Sequence, residues 1–312
     1  MAIPVEFVVR SHLDPSDISA VSSIIEAASS IDGSWPLSEH VWLHLQHGGD
    51  LHGHHVLAID SSGAIVGYAH VDITDLVQGA SAELVVSPEC RHTGIGRSLV
   101  ETAIGISPDG RLRLWAHGET SGARELANSM GFNTQRSLWQ MRRSLFAPLP
   151  NVDVPDGVHI RTFEVDRDVD AWLDVNRRAF IDLPDQGSWT RQDLELRLQE
   201  SWFNPQGFFV AERVSDSALV GFHWTKVHGA SAHSDGSHQH QPMGEIYVLA
   251  VDPEAHIPGL GRALSLEGLT YLRKLGLTQA MLYVEEYNTR AIALYEGLGF
   301  VHWDTDVLYR RG

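Results

Sequence analysis

The stretch ELVVSPECRHTGIGRSL at 83–99 decides how this chain reads, because it returns as VLAVDPEAHIPGLGRAL at 248–264. Each copy runs from an apolar, strand-like segment through a proline to G-x-G-R and into an apolar helical stretch. Gly94 corresponds to Gly259 and Pro88 to Pro253, each 165 residues further on. A second pair follows in the same order: LWAHGETSGARELANSMGF at 114–132 and LYVEEYNTRAIALYEGLGF at 282–300, offset by 168. Two ordered matches at nearly one offset identify a tandem duplication. Between the copies, APLPNVDVPDG at 147–157 holds three prolines and little periodicity, as a linker does. The halves are therefore expected at 1–146 and 158–312.

Each half reads as α/β. Asp14 followed by Pro15 is a helix start, leading into Val21, Ile24, Ile25 and Ala28 at helical spacing. VLAIDSSGAIVGYAHV at 56–71 reads as a hairpin turning at Ser62-Gly63. In the second half, Thr190 with Asp193 caps a helix through Leu194 and Leu198. FFVAERV and ALVGFHWTKV read as paired strands, and EIYVLAV as a buried central strand. Leu260, Ala263, Leu264 and Leu269 then follow helical spacing up to a stop at Gly276, and Asn288 caps a short helix ended by Gly299.

Composition sets the outer limits. The chain has 312 residues, 43% of them hydrophobic, enough for a packed core in each half. Asp plus Glu number 40 against 23 Lys plus Arg, a net charge of −17, which argues against a nucleic-acid binder. The single cysteine, Cys90, permits no disulfide within the chain and fits a reducing, cytoplasmic setting. The opening MAIPVEFVVRSHLD lacks the basic and apolar regions of a signal peptide, and no run of about 18 apolar residues exists to span a membrane. A soluble, acidic, cytoplasmic globular protein is expected.

The order strand, glycine loop, helix has a physical use. Glycines let the backbone approach a ligand closely, and the first amides of a helix point outward without partners. A pyrophosphate set there receives several N–H donors and the positive end of the helix dipole.

At these residues the sequence resembles a known family. RHTGIG at 91–96 is similar to the acetyl-CoA loop of the GCN5-related N-acetyltransferases, and NTRAIALYEGLGF at 288–300 is typical of the same superfamily. Within it, the tandem halves, DGSWPLSE at 32–39, QGSW at 186–189, GFHWTKVH at 221–228 and GEIYVLAVDP at 244–253 together resemble the tandem-domain members that acetylate a cysteinyl amide of glucosaminyl-inositol. The resemblance implies two α/β acetyltransferase domains, each a mixed sheet splayed between its fourth and fifth strands. It implies acetyl-CoA as co-substrate and no metal. In the first half it sets the cofactor against Leu84, Val85 and Val86 and the loop His92, Thr93, Gly94, Ile95, Gly96 and Arg97. In the second half the matching positions are Leu249, Ala250 and Val251, then His256, Ile257, Pro258, Gly259, Leu260, Gly261 and Arg262. Asn288, Thr289, Arg290, Ala291, Ile292 and Ala293 complete that set.

The halves differ where chemistry would occur. Glu245 precedes the central strand of the second half, and its counterpart is Ala80; Tyr295 corresponds to Ala127 and Asn288 to Thr120. Acetyl transfer to an amine needs a base, donors for the thioester oxygen and an acid for the departing thiolate. Glu245 is the expected base, acting through water, and Tyr295 the expected acid. The family's substrate is a thiol-bearing pseudodisaccharide with a primary amine and many hydroxyls. By resemblance Glu39, Asp185, Lys226, Glu245 and Tyr283 contact it. Glu39 lies in the first half, and Asp185 stands where a Glu is expected.

The second-half loop has His256 in place of Arg or Gln, and Pro258 removes one N–H donor, whereas the first-half loop keeps all six amides. The segment at 228–244 is rich in His, Ser and Gly. Without cysteines or a helical histidine pair, His233, His238 and His240 read as part of a surface loop rather than as metal ligands. Cys90 reads as a passive thiol. Two other functions fit the same residues: an acetyltransferase for another small amine or a peptide N-terminus, and a non-catalytic acyl-CoA sensor.

Overall fold

The structure, a computed structural model, describes residues 4–47, 53–74, 78–118, 120–200, 202–228 and 242–311. In chain order the first repeat holds β1 (Val5–Arg10), α1 (Pro15–Asp32), α2 (Glu39–His47), β2 (Gly53–Asp60), β3 (Ile65–Asp72), β4 (Ala80–Val86), α3 (Ile95–Ile106), β5 (Leu112–Ala116), α4 (Ser121–Ser129) and β6 (Asn133–Ser144). The second holds β7 (Val158–Thr162), α5 (Val165–Ala179), α6 (Pro184–Gly187), α7 (Arg191–Leu198), β8 (Phe208–Arg213), β9 (Leu219–His228), β10 (Met243–Val251), α8 (Leu260–Lys274), β11 (Gln279–Glu285), α9 (Thr289–Glu296) and β12 (Val301–Arg311).

The capping residues named above do what their chemistry allows. Asp14 accepts from the Ser16 and Asp17 amides, and α1 ends at Gly33 with φ 74°. Thr190 and Asp193 form a reciprocal capping box on α7, and Asn288 accepts from the Ala291 amide at the start of α9.

Two compact units result, one of Met1–Trp139 with Asp304–Gly312 and one of Gln140–Trp303. They differ from the linear division at 1–146, 147–157 and 158–312 in their last strands. In the first unit the strands run β1-β2-β3-β4-β5, and β5 is closed by the end of β12, which pairs antiparallel with it over Val307–Arg311. In the second unit the order is β7-β8-β9-β10-β11, with β6 beside β11. In both, the first four strands are antiparallel and the fifth is parallel to the fourth. This is a mixed sheet with helices on both faces.

Strand alternation sorts the cores. In the first unit Leu57, Tyr68 and Val85 face α1 and α2, while Val56, Ala58, Ala69 and Val71 face α3. In the second, Phe222, Trp224, Val248 and Ala250 pack under α5 and α7, and Leu249 and Val251 pack against Leu260 and Leu264 of α8. Trp172 and Trp224 are fully buried, and Phe208 stacks on Trp224 with ring centroids 4.4 Å apart.

One helix glycine is fixed by its neighbour. A Cβ at Gly268 in α8 would lie 2.0 Å from Cε1 of His223, a fully buried ring on β9. Burial pushes that imidazole down to about 4, so at neutral pH it is uncharged and donates from Nδ1 to the Leu264 carbonyl at 2.7 Å. Gly268→Ala is expected to lower stability by roughly 1–3 kcal/mol through overpacking, read as a shift of the urea midpoint. Because the unfolded state protonates this histidine at higher pH than the folded state, its stabilising share is lost as pH falls from about 6.5 towards 4.

Candidate active site and cofactor clefts

In each unit the fourth and fifth strands part. In the second, β10 pairs with β11 from Gly244–Ala280 to Ile246–Leu282, although β10 continues to Val251 and β11 to Glu285. In the first, β4 stays on β5 as far as Glu83–Trp115, one pair further by register. Past those points the strand amides and carbonyls have no parallel neighbour among the described residues.

Each unit also holds a helix that starts at a glycine. Gly259 takes φ 82° and Gly94 φ 96°, backbone conformations that a side chain disfavours, and each is the N-cap of the helix after it. A Cβ on Gly261 would meet nothing closer than 3.7 Å, so packing within the protein does not demand glycine there. Leu260 and Ile292 are buried, and Leu249 and Val251 pack under α8, so these positions can offer a ligand only their backbone. Arg262 and Arg290 are exposed in the first turns of α8 and α9, adding positive charge.

Register decides which side chains share a face. Glu245 is the cross-strand partner of Lys226 on β9 and of Met281 on β11, and Tyr283 lies two residues beyond Met281. Partners share a face and alternate residues return to it, so Lys226, Glu245 and Tyr283 lie on one side of the sheet. Glu245 is buried, with Oε2 2.7 Å from Nε2 of His228. Lys226 Nζ lies 4.6 Å above the Trp202 ring and 5.3 Å above Tyr247, and Tyr283 accepts from Gln140 at 2.8 Å. Tyr295 is buried on α9, edge-on to Phe300, and burial pushes its hydroxyl up to about 12. Glu39 opens α2 in the first unit. Asp185 falls in α6, and its side chain lies outside the described residues, as do His233, His238 and His240. Among the described residues no cluster of three or more His, Cys, Asp or Glu could hold a metal.

Some features of the second unit carry no sequence signal. The β9 partner of Ile246 is Thr225 and that of Val248 is Trp224, so Tyr247 is an extra residue, a β-bulge where β10 leaves β11. Arg197 lies 3.8 Å over the Trp189 ring and donates to the Tyr247 hydroxyl at 2.7 Å. His228 ends the GFHWTKVH string, which alternation could place on a face but could not pair with Glu245.

The first unit keeps a cleft and changes its chemistry. A cavity of about 550 Å³ is lined by Leu84, Val85, Val86, Gly94, Gly96, Trp115 and His117, among others. Strand β4 pairs with β3 without a bulge, so by register Ser81, the partner of Asp72 and Arg113, and not Ala80 as the linear offset suggests, stands where the second unit has Glu245, while Ala127 is buried where it has Tyr295. Beside the cleft His117 lies between two buried carboxylates, Nδ1 2.9 Å from Asp306 and Nε2 3.3 Å from Glu83. Burial alone would push this imidazole down, but the carboxylates hold it up at about 10, so it is a cation at neutral pH. Arg91 of the loop makes a bidentate pair with Asp32, 2.7 Å on each arm. The second unit ties its loop to α5 with the signs reversed, Arg178 to Asp252 at 2.6 Å. That reversal explains why His256 can stand where the first loop has Arg91.

The same fold is found in known proteins. An Acetyltransferase (GNAT) family model matches residues 169–300 and an Acetyltransferase (GNAT) domain model matches 52–134. The mycothiol acetyltransferase of Acidothermus cellulolyticus is 53% identical, over 99% of this chain and 96% of its own. That of Streptosporangium roseum is 48% identical, over 97% and 98%. Among solved structures, a GCN5-related N-acetyltransferase from Sphaerobacter thermophilus superposes with a TM-score of 0.70 at 25% identity, over 99% of this chain and 96% of that one. A tandem GNAT protein from the clavulanic acid biosynthesis pathway reaches 0.75 at 18% identity, over 99% and 98%, a likeness of fold.

The His117 cluster predicts an alkaline weakness in the first unit. Its imidazole binds a proton in the folded state more tightly than in the unfolded chain. The resulting stabilisation is complete below about pH 6.5 and is lost as pH rises through about 10. Protection factors of the β4 and β5 amides should fall over that window, and His117→Gln should make those protection factors far less sensitive to pH.

Proposed function

The chain belongs to the mycothiol acetyltransferase family of tandem GNAT N-acetyltransferases, and from that membership we propose that it transfers the acetyl group of acetyl-CoA to the cysteinyl amine of cysteinyl-glucosaminyl-inositol. The product is mycothiol. One observation carries the assignment of chemistry to the second unit: Glu245, Lys226 and Tyr283 share a sheet face at the point where β10 leaves β11.

The residues present fit acetyl-CoA. The open edge of β10 offers backbone donors and acceptors to the amide-bearing pantetheine arm, and the amides opening α8 suit a pyrophosphate. Acetyl-CoA supplies a thioester whose carbonyl carbon accepts the amine. Glu245 takes the amine's proton through one water, and the backbone of Leu249, Ala250 and Val251 holds the arm and the carbonyl oxygen. Tyr295 keeps its proton up to about pH 12, so its hydroxyl remains a donor to the departing sulfur over the working range. Lys226 donates, and Tyr283 donates or accepts, towards the sugar and inositol hydroxyls, with Glu39 and Asp185 as further contacts.

The first-unit cleft takes a second acetyl-CoA in this reading. With a straight β4, Ser81 at the register position of Glu245 and Ala127 at that of Tyr295, it has neither base nor acid. The chemistry requires no metal. No described helix is long and apolar enough to cross a membrane, and we place the enzyme in the cytoplasm as a monomer acting on a small molecule.

An acetyl-CoA assay against a panel of amines tests the reading, with the cysteinyl pseudodisaccharide expected to be preferred by kcat/KM. Tight acetyl-CoA binding without turnover on any amine would favour a sensor instead. Glu245→Gln should lower turnover about 100-fold or more at neutral pH, with the defect shrinking as pH rises and the amine deprotonates unaided. A defect constant across pH would assign Glu245 to binding. Calorimetry should show two acetyl-CoA sites per chain. Bulky residues at Gly94 and Gly96 should remove one site and spare most turnover, while the same changes at Gly259 and Gly261 should abolish it.

A further inference from the structure

We infer that His228 is a positioning residue that holds the Glu245 carboxylate for proton abstraction and restrains it when the imidazole is itself protonated. The inference rests on the reading of Glu245 as the base. The Glu245 side chain is 7% exposed and that of His228 is 38% exposed, so the pair links a buried carboxylate to the surface. A neutral imidazole facing a carboxylate at 2.7 Å must donate from Nε2 to Oε2. That bond occupies one carboxylate oxygen and leaves Oε1 for the water that carries the amine's proton. A carboxylate free to rotate about its last bond would present Oε1 in that direction only part of the time.

The same contact makes the base sensitive to charge. An imidazolium at His228 keeps the hydrogen bond but adds a positive charge beside Oε2, which lowers the carboxylate's affinity for a proton. Abstraction is then slower even though the geometry is unchanged. The groups facing the pair are Lys226 on the same strand, Glu245 on β10, Tyr283 on β11, and Tyr247 with the Arg197 that donates to it. Lys226 disfavours the imidazolium and Glu245 favours it; the two tyrosines are neutral.

Two substitutions separate orientation from charge. His228→Leu removes the donor, and kcat should fall about tenfold at pH 8 while the acetyl-CoA KM and the melting temperature hold, a modest part of a general base's total contribution. His228→Gln restores an N–H donor that does not titrate. It should recover most of what Leu loses at pH 8, and the acid limb of its kcat/KM profile should be one unit of slope shallower than in the native enzyme. The variant would then outperform the native enzyme relative to its own plateau at pH 6. Full kcat in His228→Leu, or an unchanged acid limb in His228→Gln, would overturn the inference. The underlying reading fails separately: if Glu245→Gln retains full turnover, Glu245 is not the base and His228 has nothing to position.

Discussion

A strand that leaves its neighbour partway along a sheet exposes N–H and C=O groups that must find another partner. Both units contain such a place, between the fourth and fifth strands, and the sites described above depend on it. In the second unit the parting follows Ile246–Leu282, and in the first Glu83–Trp115. Each opening lies in the same unit as a helix whose N-cap is a glycine at positive φ. An extended ligand with amides along its arm and phosphates at its end answers both demands. The strand edge and the helix start are backbone features, which is why they persist in two copies whose side chains have diverged.

The divergence is chemical. In the second unit a bulge at Tyr247 coincides with the parting, Arg197 anchors that tyrosine, and a buried carboxylate is hydrogen-bonded to a half-exposed histidine. In the first unit β4 is straight, Ser81 and Ala127 stand at the positions of Glu245 and Tyr295, and a buried imidazolium is held between Glu83 and Asp306. Both nitrogens of His117 face carboxylates, so that ring has no lone pair with which to accept a proton from a bound amine. In the proposed reading the second unit moves a proton, whereas in the first a proton is held in place on His117.

What the sequence showed was local or repeated. Glycine at 94 and 259, the Asn288 cap, the Thr190–Asp193 box and the alternation of Phe222, Trp224 and Lys226 each depend on neighbours a few residues away, so pattern and spacing exposed them. The duplication made the loss of Glu245 and Tyr295 from the first half visible. What remained hidden depends on contacts between distant residues. No local signal says that the end of β12 closes β5, that Tyr247 is one residue too many for its partner strand, or that Arg91 answers Asp32 while Asp252 answers Arg178. His228 was legible as a strand residue, but its contact with Glu245 required the register of β9 on β10.

The central claim is that two acetyl groups bind per chain and only one is transferred. A rapid-quench experiment addresses it directly. Enzyme saturated with acetyl-labelled acetyl-CoA is mixed with the cysteinyl pseudodisaccharide and an excess of unlabelled acetyl-CoA, and labelled product is counted per chain. The account predicts a burst approaching one labelled acetyl group per chain, with the second label diluted into the unlabelled pool. A burst approaching two would show that both units perform the transfer and would contradict the account.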